Sequence, residues 1–506
     1  MEFASRITRL PRPFEPELGQ EALTSTPWAR GDTARLVAGA GGTSPYLCNL
    51  LRREGGWLEG ALDDPDAALP GIAAQLKGIP PDALDVALRQ AKRRVALLTA
   101  LADLSGAWPL ETVTEALTRF ADLAVDLALR AALGREARRG KLPGLAEDDL
   151  ADAGGMVVLA MGKMGAFELN YSSDIDLICL FDQDRFDRDD FHDARSAFVR
   201  ATRRMAASLG DLTGEGYVFR TDLRLRPDPA VTPVCIAMEA AERYYESLGR
   251  AWERAAYVKA RPCAGDIAAG DRFLETLRPF VWRKHLDFGA IQDAHDMRLR
   301  YRDRHGHGEI TLPGHDMKLG RGGIREIEFF TQTRQVIAGG REPALRVRGT
   351  VDGLRVLTRT GWVPGHVTER LVDHYRAHRE VEHRVQMMQD AQTHILPSTD
   401  EGFERLAALM GEDLGALKTT LRARLEEVHT LTEDFFAPDP RPCAADIPEE
   451  IENSPLVARW QSYPALRSGR APLSHKTNSL TAKGLVPQPI ARAAGAPARP
   501  GAHHPA

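Results

Sequence analysis

Residues 156–181 read Met156-Val157-Val158-Leu159-Ala160-Met161-Gly162-Lys163-Met164-Gly165-Ala166-Phe167-Glu168-Leu169-Asn170-Tyr171-Ser172-Ser173-Asp174-Ile175-Asp176-Leu177-Ile178-Cys179-Leu180-Phe181. The apolar run 156–161 predicts a strand, and a second strand follows from the aspartates. Ile175, Leu177, Cys179 and Phe181 form one apolar face of it, and Ile178 and Leu180 continue the aspartate face. Apolar residues on both faces indicate a strand covered on both sides. Asp174 and Asp176 lie two residues apart and share a face. Carboxylates held side by side repel each other and lose hydration, and a divalent cation offsets both costs. An isolated Asp-x-Asp usually lies on a solvated loop. At the start of a doubly covered strand, unpaired burial costs several kcal/mol, which favours a metal site. The Gly162-Lys163-Met164-Gly165 turn offers backbone N–H groups to a phosphate. Lys163 is either a cation for that phosphate or a solvated turn lysine. Ser172 and Ser173 either donate to a phosphate oxygen or terminate the strand.

About 45 residues further on, Tyr217–Leu225 alternates as a strand would. Tyr217, Phe219, Thr221, Leu223 and Leu225 are expected on one face. Val218, Arg220, Asp222, Arg224 and Arg226 are expected on the other. Asp222 between arginines reads as a salt-bridge ladder or as a third metal carboxylate flanked by phosphate-binding cations. Its place after the Asp-x-Asp strand favours the second. Trp252-Glu253-Arg254 and Lys259-Ala260-Arg261-Pro262 put further cations near the expected cleft, or else form an ordinary helix edge.

Residues 316–330 carry a second glycine turn, Gly320–Gly323, that feeds a helix. Lys318, Arg321 and Arg325 surround it, so backbone donors and side-chain cations are expected to converge on an anion. Glu326 and Glu328 suit the helix dipole. His374 and His378 share a face of a later predicted helix that also carries His383. Metal ligation is conceivable by spacing, but the interleaved Arg376, Arg379 and Arg384 favour a solvated polar face.

Around these motifs the 506 residues divide by composition. Residues 1–110 are expected to be helical, broken at Gly39–Gly42 and Pro80-Pro81, with a helix over Asp82–Leu104. A strand-rich core follows over 111–265, opened by a long helix from Glu111 that Gly134 weakens. Further helices are expected over Asp190–Leu209 and Ala237–Tyr245. A helical bundle spans 266–440, with turns at Gly306–Gly308, Gly320–Gly323 and Gly339-Gly340. The tail, 441–506, has no acidic residue after Glu452 but seven Lys or Arg. Its Ala/Pro/Gly/Ser composition predicts disorder, and its abrupt onset suits a chain cut short or read out of frame. The fold class expected is α+β, with a small mixed sheet flanked by helical regions.

A formal net charge of −5 gives no nucleic-acid signal. No apolar run approaches the ~20 residues that span a bilayer, and the first six residues lack a hydrophobic signal core. Five cysteines without a C-x-x-C pair suit reduced thiols. A cytoplasmic protein is therefore expected, with no nucleic-acid or membrane partner.

Gly162 followed by Asp174-Ile175-Asp176 resembles the signature of the nucleotidyltransferase superfamily that includes DNA polymerase beta. The likeness is closer to the bifunctional glutamine synthetase adenylyltransferase/adenylyl-removing enzymes. It is carried by Gly162–Ile178, Phe219-Arg220-Thr221-Asp222-Leu223-Arg224-Leu225-Arg226-Pro227, Trp252-Glu253-Arg254, Lys259-Ala260-Arg261-Pro262 and Gly320–Phe329, in that order. The resemblance covers about residues 45–437. It implies a polymerase-beta-like core in which Asp174, Asp176 and Asp222 hold two Mg²⁺ or Mn²⁺ ions. Gly162, Lys163, Gly165, Ser172, Ser173, Arg224, Arg226, Lys259, Lys318, Arg321 and Arg325 become candidates for binding nucleotide or phosphate. The Asn170-Tyr171-Ser172-Ser173 lead-in resembles the half that removes AMP from a tyrosine of glutamine synthetase by phosphorolysis. ADP or ATP, phosphate, glutamine synthetase and the PII signal protein are the partners implied. The motif unit occurs once, and the family's second half has no counterpart here. An ATP-using adenylyltransferase and a non-catalytic regulatory module are the alternatives, and the three retained aspartates weigh against the module.

Overall fold

The computed structural model describes residues 3–283 and 310–433. The Gly306–Gly308 turn, Cys443 and the tail 441–506 lie outside the described residues.

Among the described residues five short strands make a mixed sheet: β1 (Met156–Ala160), β2 (Ile175–Phe181), β3 (Thr221–Asp222), β4 (Cys235–Ala237) and β5 (Arg261–Gly265). β1 runs antiparallel between β2 and β5. β3 and β4 share the far edge of β2, both parallel to it. β3 pairs with the start of β2, placing Asp222 opposite Asp176, and β4 pairs with its end, Cys179 opposite Cys235. The expected small mixed sheet is therefore present.

β2 is covered on both faces. Ile175, Leu177, Cys179 and Phe181 enter one core with helices Leu110–Arg138 and Phe191–Gly210. Ile178 and Leu180 enter a second with Ile236, Tyr245, Tyr257 and Phe273. The first core continues from Phe3 through helices Gly31–Thr43, Pro45–Asp63 and Leu84–Leu104 to the sheet. The described residues fall in one compact unit. The divisions expected near 110 and 265 fall within it. Cys48, Cys179, Cys235 and Cys263 are all buried free thiols.

Several local expectations are corrected. Gly39, Gly41 and Gly42 do not break a helix; they lie inside Gly31–Thr43, where any Cβ would strike Pro11, Ala22 or Pro13. These glycines let two segments pack backbone to backbone, a gain that offsets their poor helix propensity. Gly134 lies inside helix Leu110–Arg138, four residues before its last residue. The Tyr217–Leu225 strand shrinks to Thr221–Asp222. Upstream, the amides of Val218 and Phe219 both donate to Leu209 O, at 2.9 and 3.0 Å. Downstream, Arg224 N donates to the Asp222 side chain at 2.8 Å. With its donors diverted, the segment cannot extend a ladder, and Val218, expected on the polar face, is buried.

The largest departure is helix Gly365–Met387. The expected solvated face is buried instead: His374, His378, Arg379, Glu382, His383, Arg384 and Gln386 all lie inside. Buried charges persist when each is paired, and these are. Arg384 and His383 meet Asp103 at 2.6 and 2.9 Å, and Arg379 meets Glu382 at 2.8 Å. Arginine runs in sequence look like a solvated stripe, because the acids that absorb them come from distant segments.

Candidate active site

The β1–β2 pairing carries Met161 N to Asp176 O at 2.9 Å and brings the first glycine turn against the aspartate. Gly162 has φ +53°, and a Cβ there would stand 2.8 Å from Asp176 Oδ2. A left-handed backbone and a close carboxylate both require glycine at that position. Asp176 is half-buried, and desolvation, then Asp222, lifts its carboxyl to about 6; Asp174 adds repulsion, while Lys318 and Arg224 pull the other way. A carboxylate that burial and two like charges disfavour is relieved by a cation, so this donor set fits a divalent ion.

The other two carboxylates are drawn to arginines. Asp174, one residue before β2, accepts from Arg220 Nε at 3.1 Å. Asp222 accepts from Arg224 Nε at 2.9 and 3.0 Å, and this bond holds its carboxyl below the ordinary range. As they stand, no three ligating side chains among the described residues are close enough to hold an ion. The arginines neutralise Asp174 and Asp222 while Asp176 carries the unrelieved repulsion.

The candidate phosphate ligands divide sharply. Lys318 is half-buried and acts on Asp176 as a nearby positive charge, with no hydrogen bond from its ammonium among the described residues. Arg224 is exposed beside Asp222, and Arg321 is exposed on the second turn. Arg325 is partly exposed and reaches Glu328 at 3.3 Å. Ser173 is half-buried and makes no side-chain hydrogen bond among the described residues.

The remaining candidates are engaged by other groups of the protein. Lys163 pairs with buried Glu382 at 2.8 Å. Lys259 is buried against Glu168 at 2.7 Å and Glu328 at 3.2 Å, so its ammonium faces away from solvent. Arg226 donates to Leu223 O at 2.7 Å and to Thr232 O at 3.1 Å, closing a loop. Ser172 Oγ donates to Asp390 O at 3.1 Å. Gly165 is needed because a Cβ would strike the Lys259 and Ala160 carbonyls. Arg254 donates to Val281 O and Val336 O, and Arg261 pairs with Asp122 at 2.8 Å.

The second turn is also not the backbone cradle expected. Its donors are used internally: Ile324 N bonds Met317 O at 2.8 Å, Arg325 N bonds Lys318 O at 3.0 Å, and Asp316 Oδ1 accepts from Lys318 N and Leu319 N. Its contribution is the Lys318 side chain. Sequence reasoning missed the groups that hold the site: Glu168, Glu328, Glu382 and Asp390. Glu168 and Glu328 lay within quoted motifs, but nothing local marks them as partners of Lys259, which is scores of residues from each.

A mixed sheet with an Asp-x-Asp strand, a third aspartate in register and a glycine turn against them defines a nucleotidyltransferase core. Comparison with known proteins narrows this. Residues 36–276 match the glutamate-ammonia ligase adenylyltransferase family, and residues 292–436 match the GlnD PII-uridylyltransferase family. The chain is 46% identical over 435 residues to a bifunctional glutamine synthetase adenylyltransferase/adenylyl-removing enzyme of Bradyrhizobium diazoefficiens, covering 85% of this chain and 43% of that protein. A protein of the same name from Rhizobium meliloti is 49% identical over 350 residues, 69% of this chain and 36% of its own length. One from Rhodopseudomonas palustris is 46% identical over 410 residues, 78% and 41% respectively. The chain belongs to this adenylyltransferase/adenylyl-removing family and spans less than half the length of these relatives. No described helix is long and apolar enough to cross a membrane.

Proposed function

We propose that the chain removes AMP from a tyrosine of adenylylated glutamine synthetase by metal-dependent phosphorolysis. A phosphate oxygen attacks the phosphorus of tyrosine-O-AMP, and the bond from phosphorus to the phenolic oxygen breaks. The phenolate takes up a proton, giving ADP and free tyrosine. The observation that carries the reading is Asp176, half-buried in register with Asp222 and under the nearby positive charge of Lys318. The motif order and the relatives' printed names support the choice of substrate.

Asp174, Asp176 and Asp222 would hold Mg²⁺ or Mn²⁺, which when bound would screen the two anionic reactants and favour departure of the phenolate. Gly162 keeps the space over Asp176 open. Lys318 adds positive charge where anionic oxygens gather, and Arg224 and Arg321 extend it towards solvent. The relatives' names include adenylyl addition, so ATP-dependent transfer to the synthetase is the second reading. Binding of a PII-type regulator is a further proposal, resting on the match over residues 292–436.

Adenylylated glutamine synthetase, phosphate and Mg²⁺ or Mn²⁺ should yield ADP. Release of AMP without phosphate would indicate hydrolysis and overturn phosphorolysis. Label reaching unmodified synthetase from ATP would establish the second reading. Asp176→Asn should lower turnover by about 10²-fold or more, with Asp174→Asn and Asp222→Asn close behind, at unchanged melting temperature.

A further inference from the structure

Arg220, one of the arginines that flank Asp222 in sequence, has every nitrogen of its guanidinium in use. Nε donates to Asp174 Oδ1 at 3.1 Å. Nη2 donates to Ser172 O at 2.7 Å and Ser172 Oγ at 2.9 Å. Nη1 donates to the Tyr217 hydroxyl at 2.8 Å. The sequence pattern set Tyr217 on the opposite face of a strand, but the irregular backbone there turns its hydroxyl onto the arginine.

The chain of contacts goes further. Tyr217 donates its own proton to Asp390 Oδ2 at 2.9 Å, leaving its lone pairs for Arg220. Asp390 also accepts from Ser172 Oγ through its carbonyl at 3.1 Å, and it has φ +50°. A non-glycine residue in the left-handed region is uncommon and persists where its surroundings fix it. Here two hydrogen bonds do so. Gln386, on the buried Gly365–Met387 helix, accepts from Ser172 N at 3.1 Å and donates to Thr393 O at 3.2 Å. Lys92, buried nearby, balances the Asp390 charge.

We infer that Tyr217 and Asp390 are positioning residues that fix the Arg220 fork, so that Arg220 engages one oxygen of Asp174 and leaves the other for a divalent cation. A planar guanidinium tied at three acceptors can present its fourth donor in only one direction. Partners of this kind orient a ligating carboxylate, and their loss typically weakens metal binding 10- to 100-fold. The segment after the Gly365–Met387 helix thereby becomes part of the active site without touching substrate. The inference rests on the metal site proposed above.

The test is Mn²⁺ binding to the full chain, measured by isothermal titration and by the electron paramagnetic resonance signal of free Mn²⁺. Tyr217→Phe and Asp390→Ala should each raise the Mn²⁺ dissociation constant about tenfold. The double variant should be little worse than either, because both act through one arginine. Turnover at saturating Mn²⁺ should recover, whereas a general loss of structure would not be rescued by metal. Asp390→Asn keeps an acceptor for the tyrosine and should bind Mn²⁺ almost normally. If Asp176→Asn abolishes Mn²⁺ binding while folded Tyr217→Phe binds as tightly as the parent, the positioning role is overturned and the metal site stands. If Asp176→Asn binds Mn²⁺ unchanged, the metal site falls and the positioning role with it.

Discussion

Two glycine turns in this chain look alike in sequence and differ in what they do. Gly162–Gly165 carries Lys163, and Gly320–Gly323 follows closely on Lys318. In the first, the glycine stands directly over the Asp176 carboxylate while the lysine is tied to buried Glu382. In the second, Gly322 is pressed against the Leu425 backbone while Lys318 faces the carboxylates. One turn thus gives the site its space and the other its charge. A lysine beside a glycine turn has no fixed meaning; a distant carboxylate decides whether its charge is available.

The strongest way to break this contrast is to fill each glycine. Gly322→Ala combines φ +74° with a clash against Leu425. It should cost about 3 kcal/mol of stability, the upper end for overpacking, because backbone cannot move aside as a side chain can. Gly162→Ala has only a carboxylate in its way, although φ +53° adds strain. It should leave most of the stability but lower turnover by roughly 10²-fold by displacing Asp176. Chemical denaturation and single-turnover assays on both variants would separate the effects. Loss of turnover in Gly322→Ala at full stability would erase the distinction.

Exchanging the lysines sharpens it. Lys163→Met leaves Glu382 buried with Arg379 and His394 but short of one cation, and should cost about 2 kcal/mol, below the range for a wholly unpaired buried charge. Lys318→Met should leave melting unchanged and raise the KM for phosphate about tenfold, the loss of one charge-assisted contact. The opposite pattern would show that Lys163 is the cation used.

Acidity gives the smallest effect. His378 sits under the second turn with Nε2 3.1 Å from Gly322 O, and burial, with His374 adding repulsion, pulls it to about 3. The unfolded histidine titrates near 6.5. Between those values the unfolded chain carries a proton the folded chain lacks, so stability rises with pH and is lost on acidification. The slope from this group is at most about 1.4 kcal/mol per pH unit. Denaturation at pH 7 and pH 5 should show it, and His378→Gln should reduce it.

What the sequence revealed follows from the range of each interaction. β2 was legible because both of its faces are written in adjacent residues, and its two-sided cover was found as expected. Asp222 was legible as a carboxylate on a candidate strand, although its register with Asp176 was not. The engagement of Arg226, Lys163 and Lys259 was not legible, because their partners are carbonyls or acids that no local pattern connects to them. The buried face of helix Gly365–Met387 was misread for the same reason: Arg384 and Asp103 are 281 residues apart.

Those long separations also bear on inheritance. Glu382, Gln386 and Asp390 follow the groups they hold by 219, 214 and 218 residues. A duplicated gene segment that stopped after the strands would transmit all three aspartates without the residues that keep Lys163, Ser172 and Arg220 in place. The heritable unit of this site therefore runs at least from Lys92 to the loop at Asp390, and selection is expected to copy or discard it in one piece.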